Sequence, residues 1–216
     1  MIIAIIGGTG KEGKGLAYRW AKAGHQIIIG SRKLEKAQRI TSELKEEFPE
    51  LEDIEGLANP DAAQKAELVV ITVPFAAHIP ILEAIKEHVQ GKIVVDVTVP
   101  LVPPKVTRVT IPAAGSAAQE AQDILGDDVR VVSAFQNVSY ERLLEDAESL
   151  CDVLVCGNNK EAKETVISLV EDAGMKGFNA GPIQNSIVSE GLTSVLININ
   201  KKFGVHSAGI KITGIE

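Results

Sequence analysis

Short apolar runs rich in Val and Ile recur along the chain and alternate with longer segments in which apolar residues return every three or four positions. The runs cover residues 2–6, 26–29, 68–73, 93–97, 129–134 and 153–155. Because they are apolar throughout, they predict strands buried on both faces of a sheet. The segments between them, at residues 13–23, 34–48, 61–65, 79–89, 116–125 and 160–173, predict helices.

This alternation predicts an α/β fold with a Rossmann-like, doubly wound and mostly parallel sheet. Residues 1–178 are predicted to form this Rossmann-like domain. After Phe178 the alternation ends, and an apolar helix follows at about residues 183–202. Residues 179–216 are therefore predicted to form a small helical segment that caps the sheet or forms a dimer contact. A Pro-rich stretch at residues 99–116 predicts a long loop, and such loops are often functional.

Composition and charge argue against several classes of function. The chain has 216 residues and a net charge of −7, with no basic stripe of the kind that nucleic acid requires. No apolar run approaches the roughly 18 residues that span a membrane, and no basic segment precedes the first run as in a signal peptide. The two cysteines, Cys151 and Cys156, lack the spacing of a metal or redox motif. A cytoplasmic protein with reduced thiols is expected.

A GxGxxG pattern follows the first run and opens the first predicted helix. Each glycine of this pattern has a task in dinucleotide binding. Gly8 allows the tight turn, Gly10 leaves room for the pyrophosphate, and Gly13 lets helix and strand pack closely. The helix N-terminus then offers free N–H groups to the phosphates. The alternative is a tight turn without a ligand. The residues assigned to this site are Gly8, Thr9, Gly10, Lys11, Glu12 and Gly13.

A serine and several basic residues follow the second run, where NAD-binding proteins carry an acidic residue. Ser31, Arg32 and Lys36 offer a hydroxyl, a guanidinium fork and an ammonium, which suit a ribose 2′-phosphate. Arg32 and Lys36 are four residues apart and face one side of the helix start, whereas Lys33 is expected to point elsewhere. Cations are otherwise unfavourable at that end of a helix. The cluster predicts NADP(H) and not NAD(H).

Several motifs together resemble one family. They are GGTGKEGKGLA, GSRKLEKA, ITVP, VVSAFQN and NAGPIQNSIVSEGLTSVLININ. Through them the chain resembles, nearly end to end, the NADPH-dependent coenzyme F420 reductases, also called F420H2:NADP oxidoreductases. The resemblance implies a Rossmann-like domain with a small C-terminal part and the deazaflavin F420 in the cleft between them. It also implies direct hydride transfer between deazaflavin and nicotinamide, and a homodimer.

The resemblance assigns further residues to the cofactor site. Val73, Pro74 and Phe75 are expected to line the ribose and nicotinamide route, and residues 133–139 are expected to face the nicotinamide. The residues expected to frame the nicotinamide are Phe75, Val99, Pro100, Ala134, Gln136 and Asn137. On the deazaflavin side, Gln136, Ile187 and Gly191 replace the His, Arg and Ser that are usual in the family, whereas Thr193 is shared.

Hydride transfer between two redox cofactors requires alignment and exclusion of water, so no catalytic acid or base is predicted. No metal site is predicted, because no histidine pair has the spacing of metal ligands. His78 is expected either near the cofactor or at the surface, and Tyr140 is expected to be a packing residue. Two alternatives stay open: an NADPH-dependent reductase of another flavin or a small carbonyl or imine substrate, and a noncatalytic NADP-binding regulatory protein.

Overall fold

The computed structural model describes residues 1–51, 53–144 and 151–215. The strands are β1 (Ile2–Ile6), β2 (Gln26–Ser31), β3 (Ile54–Ala58), β4 (Leu68–Ile71), β5 (Ile93–Asp96), β6 (Arg130–Ser133), β7 (Asp152–Gly157) and β8 (Lys176–Asn179). The helices are α1 (Lys11–Lys22), α2 (Leu34–Glu47), α3 (Asn59–Lys65), α4 (His78–Ile85), α5 (Ala117–Leu125), α6 (Tyr140–Leu143), α7 (Lys160–Asp172) and α8 (Ser186–Phe203). Short 3-10 turns cover Phe75–Ala77, Lys86–His88 and Ile183–Asn185.

The strands form one sheet in the order β3-β2-β1-β4-β5-β6-β7-β8. Neighbours from β3 to β6 are parallel, β6 and β7 are antiparallel, and β7 and β8 are parallel. The predicted doubly wound, mostly parallel sheet is confirmed. Strands β2 and β3 lie on one side of β1, and β4 and the strands after it lie on the other side. The crevice at the carboxyl ends of these two strands is where open α/β sheets bind ligands.

Both faces of the sheet are covered by helices, and β1 shows how the residues divide between them. Ile3 and Ile5 join the apolar cluster that contains Trp20, whereas Ala4 and Ile6 join the cluster on the opposite face. Successive side chains of a strand point to opposite faces. A strand with a cluster on each side is therefore apolar at every position, as the sequence pattern indicated.

Two strands, β3 and β8, are absent from the sequence-based prediction. They are the two outermost strands of the sheet. An edge strand has a neighbour on one side only and buries less surface, so its sequence carries fewer apolar residues. β3 reads IEGLA and β8 reads KGFN, and most of their residues are partly exposed. Helix α4 is also shorter than predicted, because it changes to a 3-10 turn at Lys86.

The C-terminal helix α8 runs from Ser186 to Phe203. Gly204, which follows it, takes a left-handed conformation with a φ of 64° and ends the helix. It packs against α5 and β7, and Ser189, Glu190 and Leu196 are buried on its inner face. The long loop predicted at residues 99–116 is confirmed, because the chain between β5 and α5 forms only turns and bends. Among the described residues, no helix combines the length and apolar character needed to cross a membrane.

Candidate dinucleotide-binding site

A large open pocket lies at the carboxyl edge of the sheet, with a volume of about 1340 Å³. The loops that follow β1, β2, β4, β5 and β6 form its walls, and one face of α8 lies across from them. This is the switch-point crevice between β1 and β4. Predicted site residues that line it are Thr9, Gly10, Lys11, Glu12, Ser31, Arg32, Lys36, Val73, Pro74, Phe75, Val99, Gln136 and Asn137.

In the glycine turn after β1, only Gly10 has room for a side chain among the four glycines Gly7, Gly8, Gly10 and Gly13. Gly7 has a φ of +76°, so it takes the left-handed turn position that we assigned to Gly8. A Cβ on Gly8 would lie 2.7 Å from the Ile5 carbonyl oxygen, and a Cβ on Gly13 would lie 2.5 Å from the Gly8 Cα. In contrast, a Cβ on Gly10 would have no neighbour closer than the Gly7 carbonyl oxygen at 3.7 Å. Gly10 therefore leaves open space on the pocket side of the turn.

Helix α1 begins after Gly10 and points its N-terminus into this open space. Free N–H groups and the helix dipole favour an anion there. The Lys11 Nζ donates a hydrogen bond to the Tyr140 hydroxyl over 3.0 Å, and this contact raises the pKa of Lys11. Tyr140 lines the pocket and is not only a packing residue.

Glu12 is the one acidic side chain of the glycine turn, and it lines the pocket. Its Oε1 is buried without a hydrogen-bond partner among the described residues. Burial raises the pKa of Glu12 to about 8. Burial thus favours the uncharged carboxyl group, which reduces its repulsion of a negative ligand at the turn.

Basic residues gather where β2 meets α2. Arg32 and Lys36 are exposed and line the pocket, and Ser31 is buried beside them. The expectation that Lys33 points elsewhere is wrong, because Lys33 lines the pocket too. It precedes the first turn of α2 with an extended φ of −119°, so helical spacing does not govern its direction. The serine hydroxyl and three cations form the local positive patch that a phosphate requires.

A hydrogen-bonded network forms the inner wall between β5, β6 and α8. Gln136 donates from Nε2 to the Asp96 carbonyl oxygen over 2.7 Å. The Thr193 hydroxyl donates to the Gln136 carbonyl oxygen over 2.8 Å, and Asn137 donates to the Ser189 carbonyl oxygen over 2.8 Å. These bonds attach the loop after β6 to α8 and hold Gln136 and Asn137 at the pocket.

Three further residues that line this pocket each carry a buried polar atom without a hydrogen-bond partner among the residues that the structure describes. The Thr98 Oγ1, the Gln136 Oε1 and the Asn59 Oδ1 are buried and have no hydrogen-bond partner among the described residues. All three residues line the pocket and are at most 5% exposed. Buried polar groups in native proteins are nearly always satisfied, so these atoms indicate a polar ligand or bound water. Asn59 and Thr98 were missed by the sequence analysis, because neither belongs to a recognisable motif.

Four predicted site residues lie outside the pocket lining. Gly8 and Gly13 support the turn from behind, and Pro100 and Ala134 are buried. Phe135 lines the pocket in place of Ala134. It has a φ of +73°, which is rare for a large side chain, and its ring contacts Trp20 edge to face. Strain of this kind clusters at functional sites.

His78 does not lie at the surface, which was one of its two expected locations. Its imidazole is fully buried and bound to two carboxylates, at 2.8 Å to Asp96 and 2.8 Å to Glu120. It therefore lies neither at the surface nor in the pocket lining. Of the deazaflavin-side positions, Gln136 and Thr193 line the pocket, whereas Ile187 and Gly191 lie on α8 outside it.

Comparison with known proteins gives a consistent result. The model of a family described as NADP oxidoreductase, coenzyme F420-dependent, matches residues 2–100. An F420-dependent NADP reductase of Methanocaldococcus jannaschii is 42% identical over 225 residues, which covers 100% of both chains. A protein of the same name from Methanothermobacter thermautotrophicus is 40% identical and covers 100% of this chain and 96% of its own.

The fold is shared with a solved structure. The crystal structure of a candidate F420-dependent NADP reductase from Arthrobacter sp. FB24 superposes with a TM-score of 0.84 at 28% sequence identity. The match covers 98% of each chain. The similarity thus includes α8 and the C-terminal residues beyond the segment that the family model matches.

Proposed function

Because this chain belongs to the family of F420-dependent NADP reductases, we propose that it transfers a hydride between NADP(H) and the deazaflavin coenzyme F420. The observation that carries the proposal is a single pocket with two differently built halves. One half has a glycine turn and a basic cluster, and the other is formed by the loops after β5 and β6 together with α8.

The NADP half fits its ligand by chemistry. The N-terminus of α1 and the open space at Gly10 suit the pyrophosphate. Arg32, Lys36 and the Ser31 hydroxyl suit a 2′-phosphate, and no acidic side chain of β2 is present to bind a ribose 2′-OH. Val73, Pro74 and Phe75 follow β4, which lies between β1 and β5 in the sheet, and this position supports their proposed place along the route to the nicotinamide.

The size of the pocket supports a second cofactor. A volume of about 1340 Å³ exceeds the roughly 300–1,000 Å³ that is usual for one drug-sized ligand. With both cofactors bound, NADPH would supply a hydride and F420 would accept it together with one proton from solvent. The residues of this chain bind, orient and exclude water, and none is needed to move a proton to a leaving group. Leu101, Pro103 and Val106 of the long loop line the pocket and offer apolar surface to a bound cofactor.

The proposed activity is tested by hydride exchange. We expect the protein, mixed with NADPH and oxidised F420, to bleach the F420 absorbance, and to do so much more slowly with NADH. Absence of turnover at a protein concentration that binds NADPH would contradict the proposal. Turnover with a ketone, an imine or another flavin, but not F420, would favour the reductase alternative. NADPH binding without any turnover would favour the regulatory one.

We also propose a homodimer formed through α8. Its outer face carries an exposed apolar stripe at Val188, Val195, Ile199 and Phe203, of which Val188 is 63% and Phe203 67% exposed. These residues recur at helical spacing, and such a stripe is typical of an interface.

Sedimentation should show a dimer for the native protein. Val195→Glu should shift it to monomer, whereas Ile79→Glu, on the exposed face of α4, should not. A native monomer would overturn the proposal.

The division into an NADP-binding domain at residues 1–178 and a C-terminal segment at residues 179–216 is likewise proposed. The end of β8 at Asn179, followed by α8 outside the sheet, supports it.

A further inference from the structure

His78 lies at the centre of a buried ionic cluster directly behind the pocket. Its Nε2 lies 2.8 Å from the Asp96 Oδ2 and its Nδ1 lies 2.8 Å from the Glu120 Oε1. The side chains of His78 and Asp96 are fully buried, and that of Glu120 is 17% exposed. An imidazole that contacts a carboxylate at each nitrogen donates at both, which requires the protonated, charged form.

The cluster is connected to the pocket wall through Asp96. The Asp96 Oδ1 accepts the backbone N–H of Thr98 over 2.9 Å, and the Asp96 carbonyl oxygen accepts the Gln136 Nε2 over 2.7 Å. Thr98 and Gln136 are the two inner-wall residues whose Oγ1 and Oε1 are buried without a hydrogen-bond partner in the described part of the chain. The Asp96 carboxylate therefore holds the Thr98 backbone, whereas Gln136 is held by the Asp96 main chain.

We propose that His78 is a positioning residue: held between Glu120 and Asp96, it fixes the Asp96 carboxylate and thereby holds the Thr98 backbone in the wall of the cofactor pocket. This inference rests on the proposed function. A buried carboxylate that loses its charge partner is destabilised, so loss of the second proton of His78 weakens the hold on Asp96. Misplacement of a wall residue by about 1 Å is enough to slow hydride transfer.

The charge of His78 depends on groups from several elements. Burial opposes the charge, but the hydrogen bonds and charges of Asp96 on β5 and Glu120 on α5 outweigh it and raise the pKa of His78 to about 9. Glu190 on α8 belongs to the same environment. Burial raises its pKa to about 7, hydrogen bonds from the Ala117 and Ala118 N–H groups lower it, and His78 lowers it further. Because the pKa of His78 lies above its ordinary value of 6.5, the proton is fully bound below that pH and is lost as pH rises through about 9.

The first test follows the apo protein by NMR across the alkaline range. The His78 imidazole and the Thr98 backbone amide should titrate with one common midpoint near pH 9. In Glu120→Gln, which keeps an acceptor at Nδ1 but removes a charge, this midpoint should fall by about one pH unit. If the Thr98 amide does not follow the imidazole, or the midpoint does not move, the proposal is wrong.

The second test follows NADPH-to-F420 hydride transfer. The native rate should fall above pH 9, and the fall should begin about one unit lower in Glu120→Gln. His78→Gln should lower kcat about tenfold without this pH dependence, while the KM for NADPH changes little. His25→Gln, which removes an imidazole paired with Asp172 at the amino ends of the strands, should match the native profile. An unchanged alkaline limb in Glu120→Gln would overturn the proposal. Coupled NMR titrations without F420 turnover would instead contradict only the proposed function.

Discussion

Replacing Arg32 with Ala should weaken NADPH binding by about 10- to 100-fold and leave NADH binding nearly unchanged. A hydrogen bond to a charged group contributes about 1.5–3 kcal/mol, and about 1.4 kcal/mol corresponds to a factor of ten. Arg32 is exposed at the pocket and follows β2 directly, where the two dinucleotides differ by a single phosphate. Titration of nicotinamide fluorescence against the native protein and the variant measures both dissociation constants.

Arg39→Ala is the matched control for this prediction. Arg39 lies on the helix that follows Arg32, is exposed, and pairs with Glu43 at the surface, outside the pocket. Its replacement should affect neither dissociation constant. Equal losses for NADPH and NADH in Arg32→Ala would show that Arg32 does not read the 2′-phosphate, and would transfer that role to Ser31, Lys33 and Lys36.

Replacing Gly10 with Val should abolish dinucleotide binding while leaving the fold intact. Gly10 has a φ of −83° and a ψ of 170°, an extended conformation that a β-branched residue adopts readily. A Cβ at this position would lie 3.7 Å from its nearest neighbour, the Gly7 carbonyl oxygen, so the free protein accommodates the side chain. The same side chain would occupy the space into which the helix N-terminus points. Affinity for NADPH should fall at least about 100-fold, or about 2.7 kcal/mol.

Gly13→Ala tests a glycine that is required for packing of the turn, whereas Gly10→Val tests one that is required for ligand binding. Its Cβ would lie 2.5 Å from the Gly8 Cα, where neither backbone is free to move. We expect a loss of about 1–3 kcal/mol in unfolding free energy, typical of overpacking. Thermal unfolding should therefore place Gly10→Val near the native protein and Gly13→Ala well below it. A Gly10→Val variant that still binds NADPH with native affinity would show that the pyrophosphate lies elsewhere.

The sequence predicted strands most reliably where the burial of a strand in the fold matches its local apolar pattern. Strands β1, β2, β4, β5 and β6 lie inside the sheet with helices on both faces, so their burial produces continuous apolar runs. The glycine turn and the basic residues after β2 are likewise local. Each lies within a few positions of a strand end, and strand ends of a parallel sheet meet at one edge. Most of the predicted cofactor residues therefore line one pocket.

The sequence alone determined the α/β class, the doubly wound, mostly parallel sheet and the dinucleotide character of one half of the pocket, because these follow from patterns of residues close together along the chain. Only the tertiary structure decided what depends on distant pairing. His78 meets Asp96 and Glu120 across 18 and 42 residues, and Thr193 reaches Gln136 across 57. No periodicity or motif encodes such contacts. A buried charge is stable only where folding has brought its partners together, so the role of His78 became visible in three dimensions alone.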